Sequence, residues 1–179
     1  MLYTQWLFVP FNAPIPKADV TRLNTVIQSA RKNGYPVKVA LIGAPADLGS
    51  AFTLWGKPKQ YARFLGEELV FLYKGRLLVV MPNGLGFSRS GKPSAAASAL
   101  DGVKVTQGAT GLTDSAVRAV ARLAAASGHP IPIPPKPKGS SSSMDRVIII
   151  VAAVALLALF AALRFRKRIR RGAPRAEEP

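Results

Sequence analysis

The segment from Gly86 to Lys92 has residue types and a spacing that could hold a phosphate group. Its sequence, Gly86-Phe-Ser-Arg-Ser-Gly91-Lys92, matches most of the GxxxxGK phosphate-binding loop and follows an apolar, strand-like run. In that loop the next residue is Ser or Thr, which holds magnesium at the start of a helix. Pro93 has no hydroxyl and no amide hydrogen, and it opposes that helix. The sequence therefore predicts a hairpin arm that enters a loop, rather than a nucleotide site.

A candidate cleft follows two predicted strands. Asp47 is the one carboxylate expected just beyond the carboxyl end of a strand, where open α/β sheets bind ligands. Turns also favour aspartate for its local backbone hydrogen bonds, so a role in the loop is the competing interpretation. The residues of this cleft are Asp47, Asn83, Arg89 and Lys92. His129, the single histidine, lies in a proline-rich segment, so no catalytic residue, metal ligand or cofactor is expected.

Three amphipathic helices are expected to position these loops. The first follows Pro16 and stops at Gly34, with apolar residues at helical spacing. The second runs from about Lys59 to Leu72, with Gly66 in its middle and this predicted buried face: Tyr61, Phe64, Leu65, Leu69 and Leu72. Thr113 is expected to cap the third, whose inward residues are Val117, Val120, Leu123 and Ala124.

Strands alternate with these helices. Residues 36–42 and 76–82 form β-branched or aliphatic runs, the first expected to be buried mainly on one face. Asn83-Gly84 predicts a type I′ hairpin, residues 103–106 a short strand, and residues 1–14 an edge strand or extended arm. The expected fold class is therefore α/β, a single three-layer domain with a mixed central sheet over residues 1–128.

A membrane anchor is expected near the end of the chain. The run that begins at Val147 and ends at Leu163 has no polar residue, which favours a transmembrane helix over residues 146–164 rather than a buried core helix. A basic flank follows it: Arg164, Arg166, Lys167, Arg168, Arg170 and Arg171. Residues 129–145 are rich in proline and serine and predict a stalk of polyproline II with a flexible base.

The basic flank also predicts the orientation of the chain in the plasma membrane. Positive residues favour the cytoplasm, which puts the tail, residues 165–179, inside and the N-terminal domain outside. Residues 1–10 have neither a basic start nor a small-residue cleavage site, so a signal peptide is expected upstream of this sequence. The alternative is a tail-anchored protein, in which the N-terminal domain lies in the cytoplasm and the arginine-rich tail is transferred across the membrane.

The net charge of the chain limits the classes of partner that it is expected to bind. The 179 residues carry a formal net charge of +16, and residues 1–135 hold fifteen basic and six acidic residues, a net charge of +9. Such a domain beside a membrane attracts anionic lipid, an anionic polymer or nucleic acid. No nucleic-acid motif is present, so an envelope protein or an anionic polymer is the expected partner besides the bilayer. The absence of cysteine excludes disulfides and thiolate metal sites.

Two stretches, Tyr61-Ala-Arg-Phe-Leu and Arg76-Leu-Leu-Val-Val-Met-Pro-Asn-Gly-Leu-Gly-Phe, resemble the TPM-domain family in a similar order of elements. Where that family has an acidic turn, this chain has Tyr73-Lys74-Gly75-Arg76, and Gly86 stands at the family's glutamate. The resemblance implies an extracytoplasmic α/β module tethered to the membrane. We expect a binding or scaffolding module without catalysis, with a TPM-like metal-dependent phosphatase as the alternative.

Overall fold

A computed structural model describes residues 4–10 and 14–137 of the chain. The predicted span from Val147 to Leu163 and the basic flank from Arg164 to Arg171 lie outside these residues. Within the described part, no helix combines the length and the apolar character that crossing a membrane requires.

The described residues form a mixed α/β domain around a four-stranded sheet. Its strands are β1 (Leu7–Phe8), β2 (Val37–Leu41), β3 (Arg76–Met81) and β4 (Gly84–Arg89). Its helices are α1 (Lys17–Lys32), α2 (Pro58–Glu68) and α3 (Ala109–Ala126), with 3₁₀ segments at Pro45–Leu54 and Ala95–Leu100. The strands lie in the order β1-β2-β3-β4, the first three parallel and β4 antiparallel to β3. The predicted mixed sheet is therefore confirmed, and β1 is its edge strand.

Helices cover both faces of the sheet. Val37, Val39 and Leu41 pack with α1 and α3, whereas Ala40 packs with α2. All residues of β2 are consequently buried. The prediction that this strand is buried mainly on one face was wrong, because a central parallel strand with helices on both sides has no solvent face.

The third helix begins one turn earlier than predicted. It starts at Ala109, and Thr113 lies inside it at 2% exposure, with its hydroxyl donating to the carbonyl of Thr110 at 2.9 Å. Thr113 is therefore not the cap, because Leu112 packs into the core and extends the helix toward Gly108. The predicted inward residues are confirmed as buried: Val117, Val120, Leu123 and Ala124.

The hairpin between β3 and β4 is present, but its turn is not type I′. Met81 pairs with Gly84, so Pro82 and Asn83 occupy the two-residue loop. Type I′ needs positive φ at both loop residues, and proline fixes φ near −65°. The one positive φ at a non-glycine residue in the described chain is at Ser90. Pro82 therefore overrides the turn that the following Asn-Gly pair favours.

The second helix is shorter than predicted and packs closely on β4. It ends at Glu68, and Phe64 and Leu72, which were predicted to be buried, are 37% and 67% exposed. A Cβ on Gly66 would lie 2.6 Å from the backbone nitrogen of Gly91. Gly66 lowers the helix propensity of α2, but its lack of a side chain allows the helix to pack against the end of β4.

Two segments after β4 differ from expectation. Residues 103–106 are not a strand; they form no ladder, and the amide of Thr106 donates to the hydroxyl of Ser115 at 2.9 Å. The first residues of the predicted stalk run along the domain. The carbonyl of Pro130 accepts from Asn33 at 3.0 Å, and that of Pro134 accepts from Arg22 at 2.9 Å.

Candidate functional site

Asp47 lies just beyond the carboxyl end of β2, as its sequence position predicts. Its Oδ2 accepts hydrogen bonds from the amides of Gly43 and Ala44, each at 2.8 Å. The carboxylate thus stabilises the loop that leaves the strand, which is the turn role weighed against catalysis. A cavity of about 230 Å³ beside it is lined mainly by apolar side chains and also by Tyr61 and Glu68. Burial, followed by the nearby Asp47 charge, raises the pKa of Tyr61.

Asn83 lies at the same end of the sheet but has a structural contact. Its side-chain amide donates to the carbonyl of Gly56. This bond fastens the hairpin loop to the segment that begins α2 at Pro58. Asn83 therefore positions an element rather than facing Asp47 in an open cleft.

Arg89 and Lys92 lie at the opposite end of the sheet. Arg89 pairs with Arg76 at the beginning of β3, and Lys92 bridges back to Arg89. A strand rises by about 3.3 Å per residue, so the length of β4 separates Arg89 from the hairpin loop by roughly 17 Å. The structure thus does not bring the four predicted cleft residues together. Because β4 runs antiparallel to β3, its last residue, Arg89, lies beside the beginning of β3, at the end of the sheet opposite Asp47.

The end of the sheet where β1, β2 and β3 begin, which we call the amino edge, holds a cluster of cations and aromatic rings. The ring centroids of Trp6 and Tyr73 are 5.8 Å apart and nearly perpendicular. The Arg31 guanidinium carbon lies 5.0 Å from the Trp6 centroid, and the Lys38 ammonium lies 5.5 Å from it. Such contacts stabilise cations that partly lose their hydration.

Lys38 is the most buried cation of this cluster, at 4% exposure. Its ammonium donates to the carbonyl of Gln5 at 2.9 Å and lies 5.1 Å from the Tyr73 ring. Burial lowers the pKa of Lys38. The Tyr73 hydroxyl donates to the carbonyl of Arg76 at 3.0 Å, and burial, the largest cause, raises the pKa of Tyr73 to about 12.

Tyr35 lies near two arginines, Arg76 and Arg89, at the same edge. The Arg76 guanidinium carbon lies 4.1 Å from the centroid of this fully buried ring. Burial raises the pKa of Tyr35, while a contact with Ser127 and the charges of Arg76 and Arg89 oppose the rise. The Tyr35 hydroxyl lies near Ser127, but within the described residues it makes no hydrogen bond of ordinary geometry. Arg76 and Arg89 are direct cross-strand partners of like charge, an arrangement that is unfavourable by itself.

The amino edge was not among the sites predicted from the sequence. A signal was present, because Trp6, Tyr35 and Tyr73 each come shortly before a strand. Parallel strands begin at one edge of a sheet, so residues that precede them converge. Without the strand order, however, these three residues look like unrelated aromatic positions.

A second surface is an apolar groove of about 640 Å³. It lies between residues 102–106, α3 and residues 130–133, with Val103, Ile131 and Ile133 among its lining. Its cations are Lys104, Arg118 and Arg122. Arg118 forms an ion pair with Asp114, whose other oxygen lies 2.9 Å from Arg22 Nη1. Asp114 and Arg118 stand at i,i+4 spacing on α3.

Among residues 4–10 and 14–137, no group of three or more histidine, aspartate or glutamate side chains is arranged to hold a metal ion. Comparison of the chain with protein-family models, with curated proteins and with solved structures finds no match.

Proposed function

We propose that the chain is a single-pass plasma-membrane protein whose α/β domain lies outside the cytoplasm. The observation that carries this proposal is the apolar run from Val147 to Leu163, with its cluster of basic residues on one side only. Those basic residues oppose transfer across a membrane, so the tail stays in the cytoplasm. The domain then faces the cell envelope.

The domain acts there as a binding or scaffolding module without catalysis. Its surface supports this role, because the apolar groove beside α3 combines a large apolar area with cations at Lys104 and Arg122. Such a groove suits a partner that has both apolar and anionic groups, as an envelope protein or an anionic polymer does. Asp47, the acid at the usual ligand-binding end of the sheet, holds two loop amides instead.

The domain is proposed as a divergent member of the TPM-domain family. The resemblance was based on the order of elements along the chain. The described residues follow a similar order, which supports this proposal: α1, β2, α2, the β3–β4 hairpin and α3.

Topology mapping of the full chain tests the proposal. A reporter that is active only in the cytoplasm should be active at the C-terminus, and protease added to intact cells with opened outer layers should digest the domain. The control fusion carries the reporter after residue 128, where it should be inactive. A protected domain with an inactive C-terminal reporter would instead establish the tail-anchored orientation.

The alternative function is a TPM-like metal-dependent phosphatase at the cell surface. The observation that favours it is the cavity of about 230 Å³, which both Asp47 and Glu68 line. Mg²⁺ is commonly bound by one or two carboxylates together with substrate phosphates, and this cavity would have to supply that arrangement.

A further inference from the structure

The loop between α2 and β3 exposes two large apolar side chains at its tip. Phe71 is 93% exposed and Leu72 is 67% exposed. They are adjacent in sequence and directly precede Tyr73, whose ring belongs to the amino edge. Single exposed apolar residues are common on proteins, but a neighbouring pair on one loop tip is a candidate contact surface.

Cations lie at the base of this tip loop. Ser90 donates through its amide to the carbonyl of Gly75 at 3.1 Å and through its hydroxyl to that of Lys74 at 2.9 Å. These bonds hold the turn from Arg89 to Lys92 against the base of the tip loop. Lys74, Arg89 and Lys92 are all exposed.

The charge at this end of the sheet is strongly unbalanced. Its cations among the described residues are Arg31, Lys32, Lys38, Lys74, Arg76, Arg89 and Lys92. Among the described residues, the carboxylate beside these cations is that of Glu67 at the end of α2, which packs against Gly91, whereas Glu68 lines the cavity beside Asp47. The salt bridges of Asp114 lie on α3, where they join Arg22 and Arg118 and leave this excess unchanged.

We propose that the amino edge docks on an anionic lipid bilayer, with Phe71 and Leu72 inserted at the interface and Lys74, Arg89 and Lys92 against the headgroups. An anionic membrane attracts nearby cations, and apolar side chains gain from leaving water at the same surface. The occupant is a lipid surface rather than a soluble polyanion, because an anionic polymer would leave the two apolar side chains in water. This inference rests on the proposed membrane anchor, which keeps the domain near a bilayer.

The path of the stalk leaves this surface open. His129 lies beside Tyr35 near the amino edge, but the chain then runs along α1, and Pro134 reaches Arg22. Arg22 lies in the first half of α1, away from the end of the helix that leads into β2. The described stalk residues therefore do not cover Phe71 or Leu72.

Fluorescence quenching in the full chain tests the inference. Trp6 and Trp55 are replaced by phenylalanine, and Phe71→Trp supplies one reporter in protein reconstituted into nanodiscs with brominated acyl chains. The reporter should be quenched in discs that contain phosphatidylglycerol and remain unquenched in discs of phosphatidylcholine alone. In 1 M salt the quenching should weaken, because the Debye length falls to about 3 Å.

Phe52→Trp is the matched control reporter. Phe52 is 63% exposed but lies in the 3₁₀ segment that follows β2, at the other end of the sheet. It should stay unquenched in both kinds of disc. Equal quenching of the two reporters, or quenching of neither, would overturn the inference.

Charge variants separate specific docking from general attraction. Replacing Lys74, Arg89 and Lys92 by glutamine should lower the docking equilibrium constant on the order of a hundredfold, from the typical contribution of cations near an anionic surface. The control replaces three cations near the starts of α1 and α2 by glutamine: Lys17, Lys57 and Lys59. The same loss in both sets would contradict docking through the amino edge.

Failure of the anchor and failure of docking give different results. A chain that is not recovered with the disc contradicts the membrane anchor, and the same variants are then tested by co-sedimentation with anionic vesicles. If the Phe71→Trp chain is recovered with both kinds of disc but its reporter stays unquenched, that result contradicts docking alone.

Discussion

The Asp47 carboxylate is hydrogen-bonded to backbone amides of its own loop. One oxygen accepts from both Gly43 and Ala44, so the side chain replaces backbone partners that the loop lacks. Asp47→Asn should lower the free energy of unfolding by about 1 kcal/mol, because a neutral amide oxygen accepts less strongly than a carboxylate. Denaturant unfolding measures the change, with the exposed Asp101→Asn as a control that should stay near zero.

The same variant tests the alternative function. We expect the purified protein to show no enzymatic hydrolysis of a generic phosphomonoester with magnesium, calcium or manganese. A metal-dependent rate that disappears in Asp47→Asn, while Asp101→Asn retains it, would support the phosphatase and contradict the binding module.

Tyr73 should make stability sensitive to alkaline pH. Its pKa is about 12 in the folded protein, against an ordinary value of 10.0, so the unfolded chain loses this proton first. The contribution of Tyr73 is therefore complete below pH 10 and is lost as pH rises from 10 toward 12. Tyr73→Phe should be less stable than the parent at pH 8, and the two unfolding free energies should converge as pH rises; parallel curves would refute the assignment.

The helix α2 meets β4 at a distance that only glycine permits. Helix propensity alone predicts that Gly66→Ala stabilises the protein by about 1 kcal/mol. Packing predicts the opposite sign, because the added Cβ would lie 2.6 Å from the Gly91 backbone nitrogen and 2.9 Å from the Ser88 hydroxyl. We expect a net loss of about 1–3 kcal/mol in denaturant unfolding. The exposed Gln60→Ala in the same helix should be neutral or slightly stabilising.

Periodicity was sufficient to predict most elements of this domain. The inward positions of α3 and the apolar run of β3 depend on local patterns that tertiary contacts reinforce. The ends of elements were less predictable. Thr113 has the chemistry of a cap, but the packing of Leu112 decides where the helix begins.

The sites were harder to predict than the elements, because they depend on strand direction. Arg89 is the last residue of β4 and Asp47 follows β2, yet these positions lie at opposite ends of the sheet because β4 is antiparallel to β3. The proximity of Trp6 to Tyr73 likewise requires the parallel pairing of β1, β2 and β3. The direction and pairing of the strands cannot be read directly from a sequence pattern.

The whole domain includes the first part of the predicted stalk. Residue Ile131 packs against the core, and two carbonyls of this segment accept side-chain hydrogen bonds from α1 and its cap. A chain ending at residue 137 should therefore exceed one ending at residue 128 in unfolding free energy by about 2–3 kcal/mol. Thermal and denaturant unfolding of the two chains measure this difference; equal stabilities would mean that the segment only rests on the surface.

Ile131→Ser in the longer chain provides a control for that comparison. It should reproduce part of the loss, whereas Ile133→Ser, at a side chain that is 49% exposed, should have a smaller effect.

The path of this segment has a mechanical consequence. Its hydrogen bonds to Asn33 and Arg22 lie one after another along the chain, with that of Pro134 nearest the C-terminal side. Force applied to the C-terminal side would therefore load these bonds singly and peel the segment from Pro134 back toward His129, before it reaches the strands. In single-molecule stretching we expect a short, low-force extension that precedes the main rupture of the domain.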